Sequence, residues 1–446
     1  MSSIRSPALS CAARVGSSEA LPAEGLGTSV IMDFMLPIAT DNGARLAAIL
    51  PSGIAAVARG LGQDAEASLD QTLGAVRPGP GTVPFTTDAL PGIRSLVMIV
   101  VDGVGHANLK GRLGHAPTLS RLQQRRIETV APSTTGAALT TLTTGRLPGA
   151  HGLIGYKIRH PENGLVTTLK DWAGIADRRS WQLATPLFEA ARTAGARPVA
   201  IGRPAHAVGG LTEAILTGAD YVPGQRIEDR FAAASALLRG SDPIVAYLYI
   251  DELDKAAHEA GWQSPQWVRR LEQLDASLDL FLRALPGDVG VIVTADHGIV
   301  DVSAHQQVML DSSPELLRDV VEIGGEPRFR SLYLDPSSDP QSVAAQWAAS
   351  EGSRAWVMTR DEAVASGMFG PVAPGVAARL GDVLIAARKN VAYYRSDDGP
   401  GALAMVGQHG SFSEDERGVP LMVAGALSGS GFISTVAEVA RTRVAG

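Results

Sequence analysis

The stretch VGVIVTADHGIV, residues 289–300, opens on an apolar run, Val289–Thr294, and then sets an acid beside an imidazole, Asp296 and His297. Neighbours on a strand point to opposite faces, so this pair is awkward inside a sheet. It is sensible just past the strand, where the chain turns and both side chains can converge. A short continuous apolar run reads as a strand covered on both faces, the habit of parallel sheets. Ligands of such sheets gather outside the C-terminal strand ends. Two groups that are hard to bury at that edge point to a ligand, most economically a metal ion.

Working outward, similar runs recur with helical segments between them. Leu96–Val101 ends in Asp102-Gly103, Pro198–Ile201 follows a helical stretch Pro186–Ala196, Val245–Ile250 precedes Asp251, and Val419–Ala424 comes near the end. Residues 265–284 carry apolar positions at helical spacing. The alternation predicts an α/β fold with a mostly parallel sheet. Between 310 and 400 the texture changes. FRSLYLD, RAWVMTR and GDVLIAA read as short strands, with helices near Gln341–Ser350 and Asp361–Ser366. This predicts a small α+β cap insertion at 310–400 in a core made of 32–309 and 401–446. Residues 1–31 read as a flexible N-terminal extension, with Met32 and Met35 opening the first ordered segment.

The chain has 446 residues, 45% apolar and 19% charged, with net charge −7 and no long Lys/Arg run, which argues against nucleic acid as a partner. No apolar run reaches the roughly 18 residues of a membrane span. A single cysteine, Cys11, rules out an internal disulfide and cysteine-based metal sites, and fits a cytoplasmic location.

Four polar clusters fall at the predicted strand ends: Asp102; Asp254 with His258; Asp296 with His297; and His409. Taken singly, Asp102 reads as a turn residue, Asp254 and His258 as a solvated helical pair, and His409 as a surface histidine. Collected by one sheet edge, three aspartates and three histidines are enough for two metal ions. Imidazole with carboxylate suits zinc first, with manganese and iron also fitting. Paired ions of this kind clamp the attacking and leaving oxygens of a phosphoryl transfer. The segment APSTTGAALTTLTTGRLPGAHG, residues 131–152, leads from a Ser/Thr loop into a helix that Gly145 stops. Ser133, Thr134 or Thr135 can simply cap that helix. Equally, a hydroxyl at a helix N-terminus sits where amides and dipole favour a phosphate.

These pieces, in this order, resemble the alkaline phosphatase superfamily, and most closely its type I phosphodiesterase/nucleotide pyrophosphatase branch, which is itself similar to phosphonoacetate hydrolases. The resemblance covers about Leu96 to Ala424. It implies an alkaline-phosphatase-like three-layer sandwich with a mostly parallel central sheet. The family loop P-[ST]-x-T, nine residues before the Thr of a TG pair, matches Pro132–Thr135 with Thr144-Gly145 and selects Thr135 as nucleophile. By the same resemblance Asp102, Asp296, His297 and the Thr135 oxygen hold one metal, and Asp254, His258 and His409 the other. It implies hydrolysis of a small phosphodiester or nucleotide pyrophosphate through a phosphothreonine. One position departs from the pattern. Where diesterases of this branch place an Asn after an HG pair, His151-Gly152 is followed by Tyr156. Tyr156 becomes the candidate substrate contact, with Lys157 or Arg159 as nearby sources of charge.

Other motifs fail on inspection. His258-Glu259 lacks the second His of a zinc-protease helix, because that place holds Trp262. Gly103-Val104-Gly105 lacks the third glycine of a dinucleotide fingerprint, which is Asn108 here. The competing enzymatic reading is a phosphomonoesterase or phosphonate hydrolase with the same residues. The reading from another class is a non-catalytic metal-binding protein, and retention of all six ligand candidates with Thr135 argues against it.

Overall fold

The computed structural model describes residues 41–75, 87–170 and 172–444; the expectations about residues 1–31, Cys11, Met32 and Met35 lie outside them. The apolar runs form the centre of a seven-stranded sheet. Its order is Gln123–Glu128, Gly418–Gly425, Val289–Thr294, Ser95–Val101, Ile244–Ile250, Arg197–Gly202 and Asp220–Pro223. Every pairing is parallel except the two made by Gly418–Gly425, which runs against its neighbours. The two central strands, Ser95–Val101 and Val289–Thr294, are buried along their whole length. That explains runs with no polar alternation. The strand Gln123–Glu128 is less legible: QQRRIE alternates only weakly, and its charged residues suit a sheet edge, where they discourage pairing with another chain.

Helices cover the sheet in two groups, giving the three-layer α/β fold. The Ala44–Gly60 helix, buried over most of its length, packs with Thr135–Thr144 and Phe432–Val439. Ile227–Leu238, Glu252–Ala260 and Pro265–Arg283 form the other group. The last of these starts at Ser264, whose hydroxyl accepts from the Trp267 amide at 3.2 Å.

Residues 320–387 build a second, antiparallel sheet in the order Val320–Glu326, Phe329–Leu334, Val383–Ala387, Ala355–Thr359. Three of its strands are the predicted ones; Val320–Glu326, with two glycines in VVEIGGE, was not anticipated. One face carries its own core around Trp347 of the helix Pro340–Glu351. The other face, through Phe329, Met358 and Leu384, is continuous with the main core.

Register brings the chemistry to one edge. Val101 lies opposite Ile250, and Val100 opposite Thr294, so the three central strands finish level. Asp102, Asp251 and Asp296 therefore leave the sheet at the same height.

Candidate active site

Asp296 and His297 follow the strand end by two and three residues, and both are fully buried. The glycine after them is a spacing device. A Cβ on Gly298 would stand 1.9 Å from the Asp415 carbonyl oxygen and 2.9 Å from the Cα of Gly105. Gly103, at φ +70°, turns the chain away from Asp102 and lets Asp254 approach; a Cβ there would lie 2.8 Å from Asp254 Oδ1. Asp254 and His258 share one face of the helix Glu252–Ala260, and His258 Nε2 is 3.2 Å from Asp254 Oδ2.

All seven residues proposed as nucleophile or metal ligands meet at this edge. His297 Nε2 lies 3.0 Å from Thr135 Oγ1, 3.3 Å from Asp102 Oδ1 and 3.6 Å from Asp296 Oδ2. The His297 and His409 rings stack at 3.6 Å between centroids, and His409 and His258 are 5.4 Å apart. Two groups offer donor atoms all within 4.8 Å of one another: Asp102, Asp296 and His297; and Asp254, His297 and His409. His297 thus belongs to both, while His258 joins the second through Asp254.

Each imidazole is oriented from behind. Nδ1 of His258 faces the Gly407 carbonyl at 2.8 Å, that of His409 the Ser133 carbonyl at 2.9 Å, and that of His297 the Gly298 carbonyl at 3.1 Å. A carbonyl oxygen only accepts, so each Nδ1 carries a proton. In the neutral ring the lone pair is then on Nε2, toward the site.

The carboxylates are under-satisfied. Asp102 Oδ1, Asp254 Oδ1 and Asp296 Oδ2 are buried and accept no hydrogen bond. Burial, with Asp296 and Asp254 nearby, pushes the Asp102 carboxyl well above its ordinary value. Burial also presses His258 downward, but the Asp254 charge and hydrogen bond outweigh it and lift His258 to about 9. A proton therefore competes with a cation for that Nε2. Burial and the neighbouring His297 hold His409 well below the usual histidine range. Orphaned oxygens beside oriented Nε2 atoms are what a divalent cation with mixed N/O ligands requires, so these residues fit the implied metals.

The hydroxyl loop separates its three candidates. Ser133 Oγ donates to Ser411 O at 2.8 Å and accepts from Gly410 N at 3.2 Å, which ties two loops together. Thr134 is the residue before the helix and makes no side-chain cap. Thr135 opens the helix Thr135–Thr144, and Gly145, at φ 66°, ends it as anticipated.

A cavity of ≈ 490 Å³ opens onto this cluster, with Asp102, Thr135, Asp254, His258 and His409 at one end. Tyr156 lines it. Lys157 and Arg159 do not; Arg159 is instead paired with Glu322 at 2.8 Å and stacked over Tyr333. Two contributors gave no sequence signal. Tyr249 donates its phenol to Asp102. Glu326, from the unanticipated strand, is buried in the cavity wall with Oε2 3.7 Å from His409 Nδ1. Burial raises its carboxyl well above the ordinary range.

The chain resembles phosphonoacetate hydrolase from Sinorhizobium meliloti 1021, solved with phosphonoformate: TM-score 0.59, 21% identity, covering 78% of this chain and 97% of that one. It also resembles murine ectonucleotide pyrophosphatase / phosphodiesterase 5, solved as an inactive threonine-to-alanine form with AMP: TM-score 0.61, 18% identity, 78% and 95% covered. The human counterpart gives TM-score 0.61 at 16% identity, with 78% and 96% covered. No curated protein sequence matches. Among the described residues no helix is long and apolar enough to cross a membrane. The sequence model of one family runs through the motifs that build the strand-end cluster, from residue 96 to residue 412, and on that match the chain belongs to the type I phosphodiesterase / nucleotide pyrophosphatase family.

Proposed function

We propose that this protein is a two-metal hydrolase of small phosphodiesters or nucleotide pyrophosphates, with Thr135 as nucleophile. The observation that carries the reading is the meeting of the Thr135 hydroxyl with three orphaned carboxylate oxygens and three oriented imidazoles at one strand edge. Asp102, Asp296 and His297 would hold one cation, and Asp254, His258 and His409 the other. When bound, such ions supply positive charge for the phosphoryl oxygens and lower the pKa of a nearby hydroxyl. The chain's own contribution begins at the start of the helix Thr135–Thr144, whose free amides and dipole orient an anionic phosphoryl group. Thr135 Oγ1 then forms a bond to phosphorus as the bond to the leaving oxygen breaks, and the leaving group departs as an alcohol or phosphate. Water afterwards attacks the phosphothreonine, restoring the hydroxyl and releasing the phosphate product. The 310–400 segment caps the cavity, supplying Glu326 and Pro327 to its wall.

The first test is metal analysis together with hydrolysis of bis(p-nitrophenyl) phosphate and p-nitrophenyl phosphate. About two metals per chain and faster diester turnover are expected. Asp296→Ala and His297→Ala should each lower the metal content, by about one ion. Unchanged content in both variants would remove the metal assignment.

Tyr156 favours a second reading, a phosphomonoesterase or phosphonate hydrolase, since a phenol offers one donor where an amide offers two. Tyr156→Asn is expected to raise the diester-to-monoester rate ratio, by about tenfold for one hydrogen bond gained in the transition state. An unmoved ratio would mean that Tyr156 does not reach the phosphoryl group.

A further inference from the structure

Glu326 is a buried acid without a basic partner, and it stands beside the ligand cluster. It closes the strand Val320–Glu326 and faces Phe329 across a tight turn. Both residues of that turn are fixed. Pro327 O accepts from the Tyr393 amide at 2.7 Å, and Arg328 is bound to Glu416 and to the carbonyls of Lys389 and Val391. The second sheet thus delivers Glu326 to one place.

That place is behind His409. Glu326 Oε2 lies 3.7 Å from His409 Nδ1, on the side of the ring away from Nε2. The His409 loop is shaped to admit it. Gly410 has φ +125°, and a Cβ there would stand 2.6 Å from both Cγ and Cδ of Glu326. The Thr134 hydroxyl, buried and without a hydrogen-bond partner, lines the same cavity. Glu326 itself is 5% exposed, and its Oε1 accepts no hydrogen bond.

The basic side chains of its own sheet are committed elsewhere: Arg328 to Glu416, and Arg330 to Asp398. A carboxyl buried this deeply is normally paired with a cation or with donors. What Glu326 faces is the imidazole of His409, with that of His258 5.4 Å beyond it between centroids. These two histidines and Asp254 make up the second ligand group, which has one carboxylate where the first has two, Asp102 and Asp296. Two divalent cations carry four positive charges against three aspartates, and Glu326 is the buried acid that balances them. A carboxylate behind a ligating imidazole fixes the ring and makes its free nitrogen a stronger donor.

We infer that Glu326 is a positioning residue for the second cation: through His409 it supplies, from the 310–400 segment, the negative charge that this ligand group lacks. The inference rests on the two-metal reading above. The test strips the full chain of metal and titrates it with zinc ion in competition with a chromophoric chelator. In Glu326→Gln, which keeps the shape and removes the charge, one of the two zinc dissociation constants should rise by about 10–100-fold. It should be the constant that His258→Ala also raises, while the one raised by Asp296→Ala stays within about twofold. Glu326→Asp keeps the charge and should recover part of the loss. The urea midpoint of Glu326→Gln should hold or rise, since an acid without a basic partner has left the interior. Unchanged constants in Glu326→Gln, a loss confined to Glu326→Ala, or a shift at the Asp296 site would overturn the inference, and a loss accompanied by a large fall in the urea midpoint would do the same. If wild type binds two zinc ions but hydrolyses no ester, the hydrolase reading fails by itself, and the zinc constants still decide the role of Glu326. Wild type that binds no zinc would overturn both.

Discussion

Thr135→Ala is expected to lower turnover by about 10³-fold or more while leaving the fold and the metal content close to wild type. The two halves of that expectation have separate causes. Thr135 Oγ1 is the hydroxyl that stands against the ligand cluster, 3.0 Å from His297 Nε2, whereas the Ser133 hydroxyl is committed to Ser411 and Gly410. Removing it deletes the atom that would bond to phosphorus. The six candidate carboxylate and imidazole ligands remain, and alanine is a good helix former at the start of Thr135–Thr144. One side-chain hydrogen bond is lost, so stability should fall by only about 1 kcal/mol. Thr135→Ser, which keeps the hydroxyl, should recover part of the activity. Pre-steady-state mixing of the serine form and wild type with a p-nitrophenyl diester should release a burst of nitrophenol. Turnover by the alanine variant at a substantial fraction of wild type would transfer the nucleophile to Thr134, Ser133 or water.

The site was legible in the sequence to the extent that its parts are local. An apolar strand followed directly by Asp296-His297, and a helix repeat that places Asp254 over His258, are written in consecutive residues. His409 reached the same edge for a reason the sequence did not show. It precedes the last strand rather than following it, and only because Gly418–Gly425 runs antiparallel does its N-terminal end lie beside the C-terminal ends of the others. The carbonyls that orient the three imidazoles come from Gly407, Ser133 and Gly298, and backbone atoms leave no mark in composition. Glu326 was missed because its strand is built from VVEIGGE, whose glycines mask the two-residue period, and because its partner His409 is 83 positions away. Lys157 and Arg159 were plausible from their closeness in sequence to Tyr156. The short antiparallel pair Lys157–His160 and Gly164–Thr167 instead leads Arg159 to Glu322.

The fold itself supplies the second large effect. Arg328 and Glu416 are both fully buried, joined by Nε–Oε1 at 2.6 Å and Nη2–Oε2 at 2.7 Å. Arg328 also donates to the carbonyls of Lys389 and Val391, and Glu416 accepts from the Ser411 amide at 3.0 Å. The Glu416 carbonyl in turn receives the Gly298 amide at 2.8 Å. One ion pair therefore binds the second sheet to the loop carrying His409 and to the turn carrying Asp296-His297. Arg328→Ala leaves a buried carboxylate with no countercharge, and is expected to destabilise the protein by about 3–5 kcal/mol. The measurement is a urea midpoint shift at constant m-value. The double change Arg328→Met with Glu416→Leu removes both charges and should cost much less, because burying an ion pair gains little over burying matched apolar groups. The two variants separate stability from registration. If the pair also holds the His409 loop in place, the double variant will fold yet bind less metal and turn over more slowly. If it serves stability alone, the double variant will keep its metal and most of its rate. A loss below about 1 kcal/mol in Arg328→Ala would mean that water reaches Glu416 and that the joint between the sheets is looser than this packing implies.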